Sequence, residues 1–214
     1  METNDLNSWI ETISDRSTVK RFQSGDVISL QGEALESLGY ILSGRAKAIA
    51  FSEAGDATWV GVFKEDEFFG HTSLLTQKET HFEIRAEDDV EVLFVAAGVM
   101  TQLMSERESL SLRLTQDLAE RLDHMTIRLI EAYTLSARGR ICAELSRLSR
   151  VIGILPENLI IRPSPVFVEL AERVNSTRET VSRTVSDLQK RGILTRESGA
   201  IVIKKPAALK AAIL

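Results

Sequence analysis

The chain has 214 residues, 43% of them apolar and 27% charged, which is enough for two small domains. A run of about 18 apolar residues, the minimum for a membrane-spanning helix, does not occur, and the single cysteine excludes an intrachain disulfide framework and a four-cysteine iron–sulfur cluster. The net charge of −5 is uneven: residues 137–214 hold 14 Lys and Arg against 7 Asp and Glu, whereas residues 1–136 hold 12 basic and 24 acidic residues. A basic C-terminal third favours contact with phosphates at that end only.

The first 17 residues are predicted to form a short helix. Leu6, Trp9, Ile10 and Ile13 follow an i, i+3, i+4, i+7 spacing that gives one apolar stripe. The acidic start of the chain lacks the basic and then apolar pattern of a secretion signal, so we expect a cytoplasmic protein.

Residues 19–95 alternate between short apolar segments and turn signals such as Ser24-Gly25-Asp26 and Ser43-Gly44. Many short strands at this spacing predict an antiparallel sandwich or barrel. The predicted strands are Val27–Leu30, Gly39–Leu42, Ala46–Phe51, Thr58–Phe63, Thr80–Ala86 and Val90–Val95.

Helical periodicity begins near Ala97, with a short helix over Val99–Met104 and a long one over Ser109–Leu135. Five apolar residues of the long helix alternate by four and three, which is a coiled-coil seam: Leu118, Leu122, Met125, Leu129 and Ala132. The seam predicts a homodimer; the alternative is an ordinary core helix packed against the sheet.

The segment Ser136-Ala137-Arg138-Gly139 interrupts the helical pattern and is a candidate hinge. A helix over Arg140–Val151 follows, in which Cys142 is expected to be a packing residue, with a redox thiol as the alternative. Leu159–Ile161 is predicted to be a short strand, and two apolar stretches around residues 196–199 predict a β-hairpin wing before a final helix over Pro206–Leu214.

The stretch Phe167–Arg191 predicts two helices joined by a tight turn at Asn175. Ser176 and Glu179 have the spacing of a capping box, which places the N-cap of the second helix at Ser176. Val181, Val185 and Leu188 would form its buried stripe. The opposite face carries polar and charged side chains at the N-terminal end, as a helix that enters the DNA major groove does. A solvated surface on which Glu179 and Arg183 form an ordinary i, i+4 pair is the alternative.

Taken in order, these motifs resemble the cAMP receptor protein/fumarate-nitrate regulator (CRP/FNR) family of bacterial transcription factors over nearly the whole chain. The residues that carry the resemblance are Gly25-Asp26-Val27-Ile28, Gly39-Tyr40-Ile41-Leu42, Gly44, Phe68-Phe69-Gly70, Gly139-Arg140-Ile141 and Ser176–Arg183. The resemblance implies an α+β protein of three parts. Residues 1–97 would form a β-roll sensor domain, a jelly roll of the cyclic-nucleotide-binding kind. Residues 98–136 would form a short helix and a long dimerisation helix, and residues 137–214 a winged helix-turn-helix.

The family reads DNA with an arginine, an adjacent glutamate and a second arginine four residues after the glutamate. Arg178, Glu179 and Arg183 match this motif, which implies a TGTGA-like half-site in an inverted repeat. The DNA-binding residues implied in this way are Ser176, Thr177, Arg178, Glu179, Ser182 and Arg183.

The sensor pocket departs from the cAMP-binding members. Their ribose-binding glutamate is replaced by His71, their phosphate-binding Arg-Ser pair by Thr80-His81, and their adenine-contacting Thr-Ser pair by Met125-Thr126. A cyclic phosphate needs a fixed positive partner, which Thr80 does not supply, so we expect that cAMP is not the effector.

Three histidines, His71, His81 and His124, fall in this pocket or on the helix over it. They could ligate haem or a metal through His71 and His81, or act as a proton switch. They could equally be neutral polar replacements in a pocket for a different small ligand or for no effector.

No His-x-His pair, glycine-rich phosphate loop, nucleophile elbow or paired-cysteine zinc pattern occurs, so we expect no enzyme activity. The expected partners are double-stranded DNA, a second copy of the chain and RNA polymerase, with no membrane. A sensor module that regulates by protein contact alone is the alternative function.

Overall fold

The computed structural model describes residues 13–152 and 159–213. The chain divides into two compact units, residues 1–123 and residues 124–214. The boundary between the two units falls within one long helix.

The first unit is a β-sandwich with helices packed on one of its sheets. Its described strands are β1 (Ser17–Phe22), β2 (Val27–Ser29), β3 (Ser37–Ser43), β4 (Arg45–Phe51), β5 (Ala57–Lys64), β6 (Phe68–Phe69), β7 (Glu83–Ala86) and β8 (Val90–Ala96). Its helices are α1 (His71–Thr76), α2 (Ala97–Glu106) and the first part of α3 (Glu108–Thr134).

Two antiparallel four-stranded sheets form the sandwich. One has the strand order β1-β8-β3-β6 and the other the order β2-β7-β4-β5. The alternation of side chains along β3 gives the first sheet two apolar faces. Ile41 packs with residues of both sheets in the interior, whereas Leu38 and Tyr40 join a cluster with α2 and α3 on the opposite side.

Gly39 of β3 is required by the packing of an aromatic ring. It pairs with Phe69 of β6, and a Cβ atom at this position would lie 2.1 Å from the Phe69 ring. Phe69 is fully buried, so the absence of a side chain at Gly39 is what admits the ring to the core.

The second unit contains the end of α3 and the elements α4 (Ala137–Ile152), β9 (Leu159–Ile161), α5 (Phe167–Arg173), α6 (Arg178–Lys190), β10 (Leu194–Glu197), β11 (Ala200–Ile203) and α7 (Pro206–Ala211). The three strands form an antiparallel sheet in the order β10-β11-β9. A single apolar core joins this sheet to α4, α5, α6 and α7.

Gly139, the last residue of the candidate hinge, lies within helix α4. The helical pattern breaks at Leu135 and Ser136, and the Ser136 hydroxyl accepts a hydrogen bond from the Gly139 N–H at 3.1 Å. A Cβ atom on Gly139 would lie 2.5 Å from the Ile213 carbonyl oxygen. Gly139 therefore serves the close approach of two backbones within the second unit.

The predicted fold class, a β-roll, a long helix and a winged helix-turn-helix, is confirmed. Two strands, β1 and β6, were not predicted, and the strand expected from Thr80 begins only at Glu83. Most of the predicted N-terminal helix lies outside the described residues, and its end is a 3-10 turn over Ser14–Arg16 that leads into β1. No helix in the described ranges has both the length and the apolar content to cross a membrane.

Candidate nucleic-acid interface and sensor pocket

The turn between α5 and α6 is built around Asn175. Its φ of 47° lies in the left-handed region, which asparagine tolerates better than most residues because its short side chain can bond locally. The Ser176 N–H donates to the Ala171 carbonyl at 2.9 Å and closes the turn. Asn175 thus plays the part that the sequence predicts.

The cap of α6 is one residue later than predicted. Thr177, not Ser176, is the N-cap, and its hydroxyl accepts from the Thr180 N–H at 3.2 Å. The Thr180 hydroxyl lies 3.0 Å from the same oxygen. The capping box predicted from Ser176 and Glu179 is therefore wrong, and Glu179 stands free of the capping interaction in the first turn.

Helix α6 is sharply divided into a buried and an exposed face. Val181, Val185 and Leu188 are at most 1% exposed and pack in the core of the second unit. The exposed face carries four of the predicted DNA-binding residues, Arg178, Glu179, Ser182 and Arg183. The division places one carboxylate and two guanidinium groups together on the first two turns.

The charged groups described on this face do not form ion pairs with one another. In the described part of the chain, Glu179 and Arg183 form no ion pair; the Arg183 guanidinium instead approaches the Thr180 hydroxyl at 3.4 Å. The face is exposed, and the i, i+4 ion pair that the alternative names does not occur among the described residues. A helix N-terminus with exposed guanidinium and carboxylate groups can present donors and acceptors to base edges.

The C-terminal half of α6 is fixed to α4 by Asp187. Its carboxylate accepts from Arg138 at 2.5 Å and lies 3.6 Å from Arg191. The hydrogen bond from Arg138 lowers the pKa of this carboxyl group. The wing beside α6 exposes further cations, since Arg196 stacks on the Phe167 ring at 4.9 Å and Lys204 and Lys205 are exposed.

Four of the five seam residues of α3 are exposed within the single chain. Leu122, Met125 and Leu129 are 68%, 52% and 58% exposed. Leu118 is half-buried and Ala132 is exposed. The helix therefore carries an uncovered apolar stripe along the predicted dimer face.

His71 begins α1 and is directed at the long helix. Its Nε2 atom lies 3.4 Å from the Asp117 carboxylate, and its ring meets Phe68 edge-on. Asp117 in turn accepts from Arg121 at 3.0 Å. Burial lowers the pKa of the His71 imidazole to about 4 and outweighs the opposing effect of Asp117.

The other predicted pocket residues have different environments. The Thr80 hydroxyl is buried and lies within hydrogen-bonding distance of the Leu30 and Glu33 carbonyls, at 3.0 and 3.2 Å, whereas His81 is exposed. Arg85, an arginine nearby in sequence, donates to Glu83 at 2.8 Å and to the Gly25 carbonyl at 2.8 Å. These internal bonds occupy the polar groups that a ligand phosphate would need.

His124, Met125 and Thr126 lie on α3 and are exposed in the single chain. Among the described residues, no group of three or more His, Cys, Asp and Glu side chains is arranged to hold a metal ion. Cys142 is fully buried, and burial raises the pKa of its thiol.

Comparisons with known proteins agree with this architecture. A cyclic nucleotide-binding domain model matches residues 19–107, and a Crp-like helix-turn-helix domain model matches residues 139–212. The chain belongs to the CRP/FNR family. Members of this family are DNA-binding transcription regulators and not enzymes, as predicted.

Individual CRP/FNR relatives are distant. The chain is 28% identical to the global nitrogen regulator of Synechocystis sp. over 195 residues, 89% of this chain and 86% of the relative. It is 21% identical to the cAMP-activated global transcriptional regulator CRP of Pasteurella multocida, over 94% of this chain and 97% of the relative. The solved c-di-GMP responsive global regulator CLP of Xanthomonas campestris has the same fold, with a TM-score of 0.79, 22% identity and coverage of 92% of this chain and 98% of that chain.

One cluster in this CRP/FNR chain was missed at the sequence level. The Arg121 guanidinium donates to Asp117 at 3.0 Å, to Glu67 at 3.1 Å and to the Phe68 carbonyl at 3.0 Å, and it stacks over the Phe63 ring at 4.1 Å. The i, i+4 spacing of Asp117 and Arg121 is visible in the sequence, but such pairs are usually exposed. Their burial against the first sheet depends on residues 54 positions away.

Proposed function

We propose that this transcription regulator binds DNA as a homodimer and reads a TGTGA-like inverted repeat. The observation that carries the proposal is the exposed trio Arg178, Glu179 and Arg183 on the first two turns of a capped helix. Arginine can donate two hydrogen bonds to guanine, and a carboxylate can accept from the cytosine amino group. The phosphate contacts would come from the basic wing and the start of α6.

The exposed stripe of α3 supports the dimer. Two copies of an apolar seam with a four-and-three spacing cover each other in a parallel coiled coil. A two-fold axis along that coil relates two recognition helices, which matches a palindrome with half-sites about one helical turn apart. The partners we infer are thus DNA, a second copy and RNA polymerase, all in the cytoplasm.

We infer that cAMP is not the effector of this protein. Among the described residues of the first unit, the candidate phosphate site offers Thr80, whose hydroxyl faces backbone carbonyls, and Arg85, which is paired with Glu83. The relative from Pasteurella multocida is activated by cAMP and the structural neighbour CLP responds to c-di-GMP, so proteins of this fold differ in their effectors. We infer either a different small ligand or a dimer that binds DNA without one.

The histidine alternative has a direct readout. Haem or a metal held by His71 and His81 would give a Soret band or stoichiometric metal in the purified protein. The buried position of His71 next to Asp117, with His81 exposed, favours the reading without haem. A Soret band in the untreated protein would reverse this preference.

Base readout is tested with Arg178→Ala in the full chain. Binding is measured by gel shift on a TGTGA palindrome and on palindromes changed at one base pair. The variant should lose about 1–3 kcal/mol of binding free energy, and this loss should be confined to one position of the half-site. Lys210→Ala removes one positive charge from exposed α7 and is the matched control. Equal binding of the palindrome by Arg178→Ala and the wild type would refute the proposed readout.

A further inference from the structure

Glu144 is a buried anion in the middle of α4. The residue is 1% exposed, and a carboxylate in such a place is costly unless cations surround it. Three arginines from three helices do so: Arg128 of α3 donates at 2.9 Å, Arg147 of α4 makes a shorter contact, and Arg173 of α5 lies 3.8 Å away. All four residues belong to the second unit.

Arg128 also reaches the backbone of the helix-turn-helix. Its Nη2 atom donates to Glu144, while its Nη1 atom donates to the Arg173 carbonyl at 3.1 Å, where α5 ends. Carbonyl groups at the end of a helix lack partners within the helix and attract cations. One guanidinium therefore ties the last turns of α3 to the first helix of the motif.

The next two carbonyls of the turn are held in the same way. Arg140 of α4 donates from Nε to the Val174 carbonyl at 2.8 Å and from Nη2 to the Asn175 carbonyl at 3.0 Å. Its Nη1 atom donates to the Leu135 carbonyl at 3.0 Å, directly after α3. Three successive carbonyls that lead into the recognition helix α6 are thus bound by two arginines, both anchored at the end of α3.

A second ion pair joins the same helices. Arg147 of α4 donates to Glu131 of α3 at 2.6 Å while its other nitrogen contacts Glu144. This pair restrains α4 against the last turns of α3. Arg128 differs from Arg147 in that it joins α3 and Glu144 to a backbone carbonyl at the end of α5.

We propose that Arg128, oriented by Glu144, is a positioning residue for DNA recognition. It holds α6 in a fixed orientation relative to the C-terminal end of α3. In a dimer, α3 then sets the distance between the two recognition helices. The proposal rests on the proposed function, because it presumes that two copies of α6 read one palindrome. A simple charge at this position is insufficient, since two acceptors in different helices require the forked guanidinium.

The test is the dependence of binding on half-site spacing. Full-length protein is titrated, by fluorescence anisotropy, against TGTGA palindromes whose central spacers differ by single base pairs. The wild type should prefer one spacing. Arg128→Met and Arg128→Lys should lower the affinity ratio between the best and neighbouring spacings by roughly fivefold or more, with little change in binding to the neighbouring spacings.

Arg121→Met is the matched control. Arg121 lies on the same helix, its side chain is also 25% exposed, and it also forms ion pairs, but these lie in the first unit. It should retain the wild-type preference. If Arg128→Met unfolds the second unit, as judged by circular dichroism, the milder Arg128→Lys decides the question, because it keeps the charge and the stem.

The possible failures are distinct. A wild-type protein that binds none of the palindromes refutes the proposed function. Wild-type spacing preference in folded Arg128→Lys and Arg128→Met overturns the positioning role, as does an equal loss in Arg121→Met.

Discussion

The apolar stripe on α3 gives a quantitative test of the dimer through Leu129→Glu. Full burial of a leucine side chain stabilises by about 1.5–3 kcal/mol. Leu129 is 58% exposed in the single chain, so covering two symmetry-related copies contributes roughly 2–3.5 kcal/mol on that scale. Losing this term raises the dimer dissociation constant roughly 20- to 400-fold, and an unpaired carboxylate in the seam adds to the loss.

Sedimentation across a concentration series measures the effect. The wild type should approach twice the 23.8 kDa mass of one chain, and Leu129→Glu should dissociate at a concentration higher by that factor. Leu112→Glu is the control, because Leu112 is 48% exposed on the same helix but lies off the seam spacing. The reasoning is refuted if the wild type stays monomeric, or if both variants dissociate alike.

Three further predictions concern stability. Thr177→Ala should lower the free energy of unfolding by about 0.5–2 kcal/mol, as measured in urea, while Ser176→Ala should change it much less because Ser176 is not the cap. Gly139→Ala should lower the free energy of unfolding by roughly 1 kcal/mol, because overpacking against Ile213 exceeds the gain in helix propensity. In a chain that lacks residues 213–214, the same substitution should be stabilising. His71 favours the fold when neutral, so its stabilisation is complete above its ordinary pKa of 6.5 and is lost as pH falls towards about 4; His71→Gln should flatten that part of the stability profile.

The controls for these predictions are equally specific. A loss from Ser176→Ala that equals the loss from Thr177→Ala would contradict the assigned cap. For the histidine, His81→Gln is the control, because it removes the exposed imidazole and leaves the buried one in place. An unaltered profile in His71→Gln would mean that another group dominates acid unfolding.

Most of the fold could be predicted from hydrophobic periodicity and turn residues. The apolar stripe of α6, the left-handed turn at Asn175 and the strand Leu159–Ile161 follow from local rules and were found at the predicted positions. Strand β1 was missed because four of its six residues are exposed, so pairing with β8, not an apolar pattern, defines it. Strand β6 has only two residues, too few for any periodic signal.

The buried charges could not be predicted from the sequence. Asp117 and Glu144 each stand in an amphipathic helix pattern where a carboxylate is ordinarily solvated. Their burial depends on arginines supplied by packing, such as Arg173 for Glu144, 29 positions later. Likewise the sequence places His71 and His81 in one pocket, yet His71 is buried beside a carboxylate and His81 is exposed.

The buried thiol of Cys142 makes the protein its own reporter of local opening. It is the single cysteine of the chain, it is fully enclosed in the core of the second unit, and its raised pKa keeps it in the unreactive protonated form. A thiol reagent can label it only in molecules whose α4 has separated from its neighbours, so the labelling rate measures the free energy of that opening. Slower labelling on a bound oligonucleotide would record, without any engineered probe, how strongly DNA closes this half of the molecule.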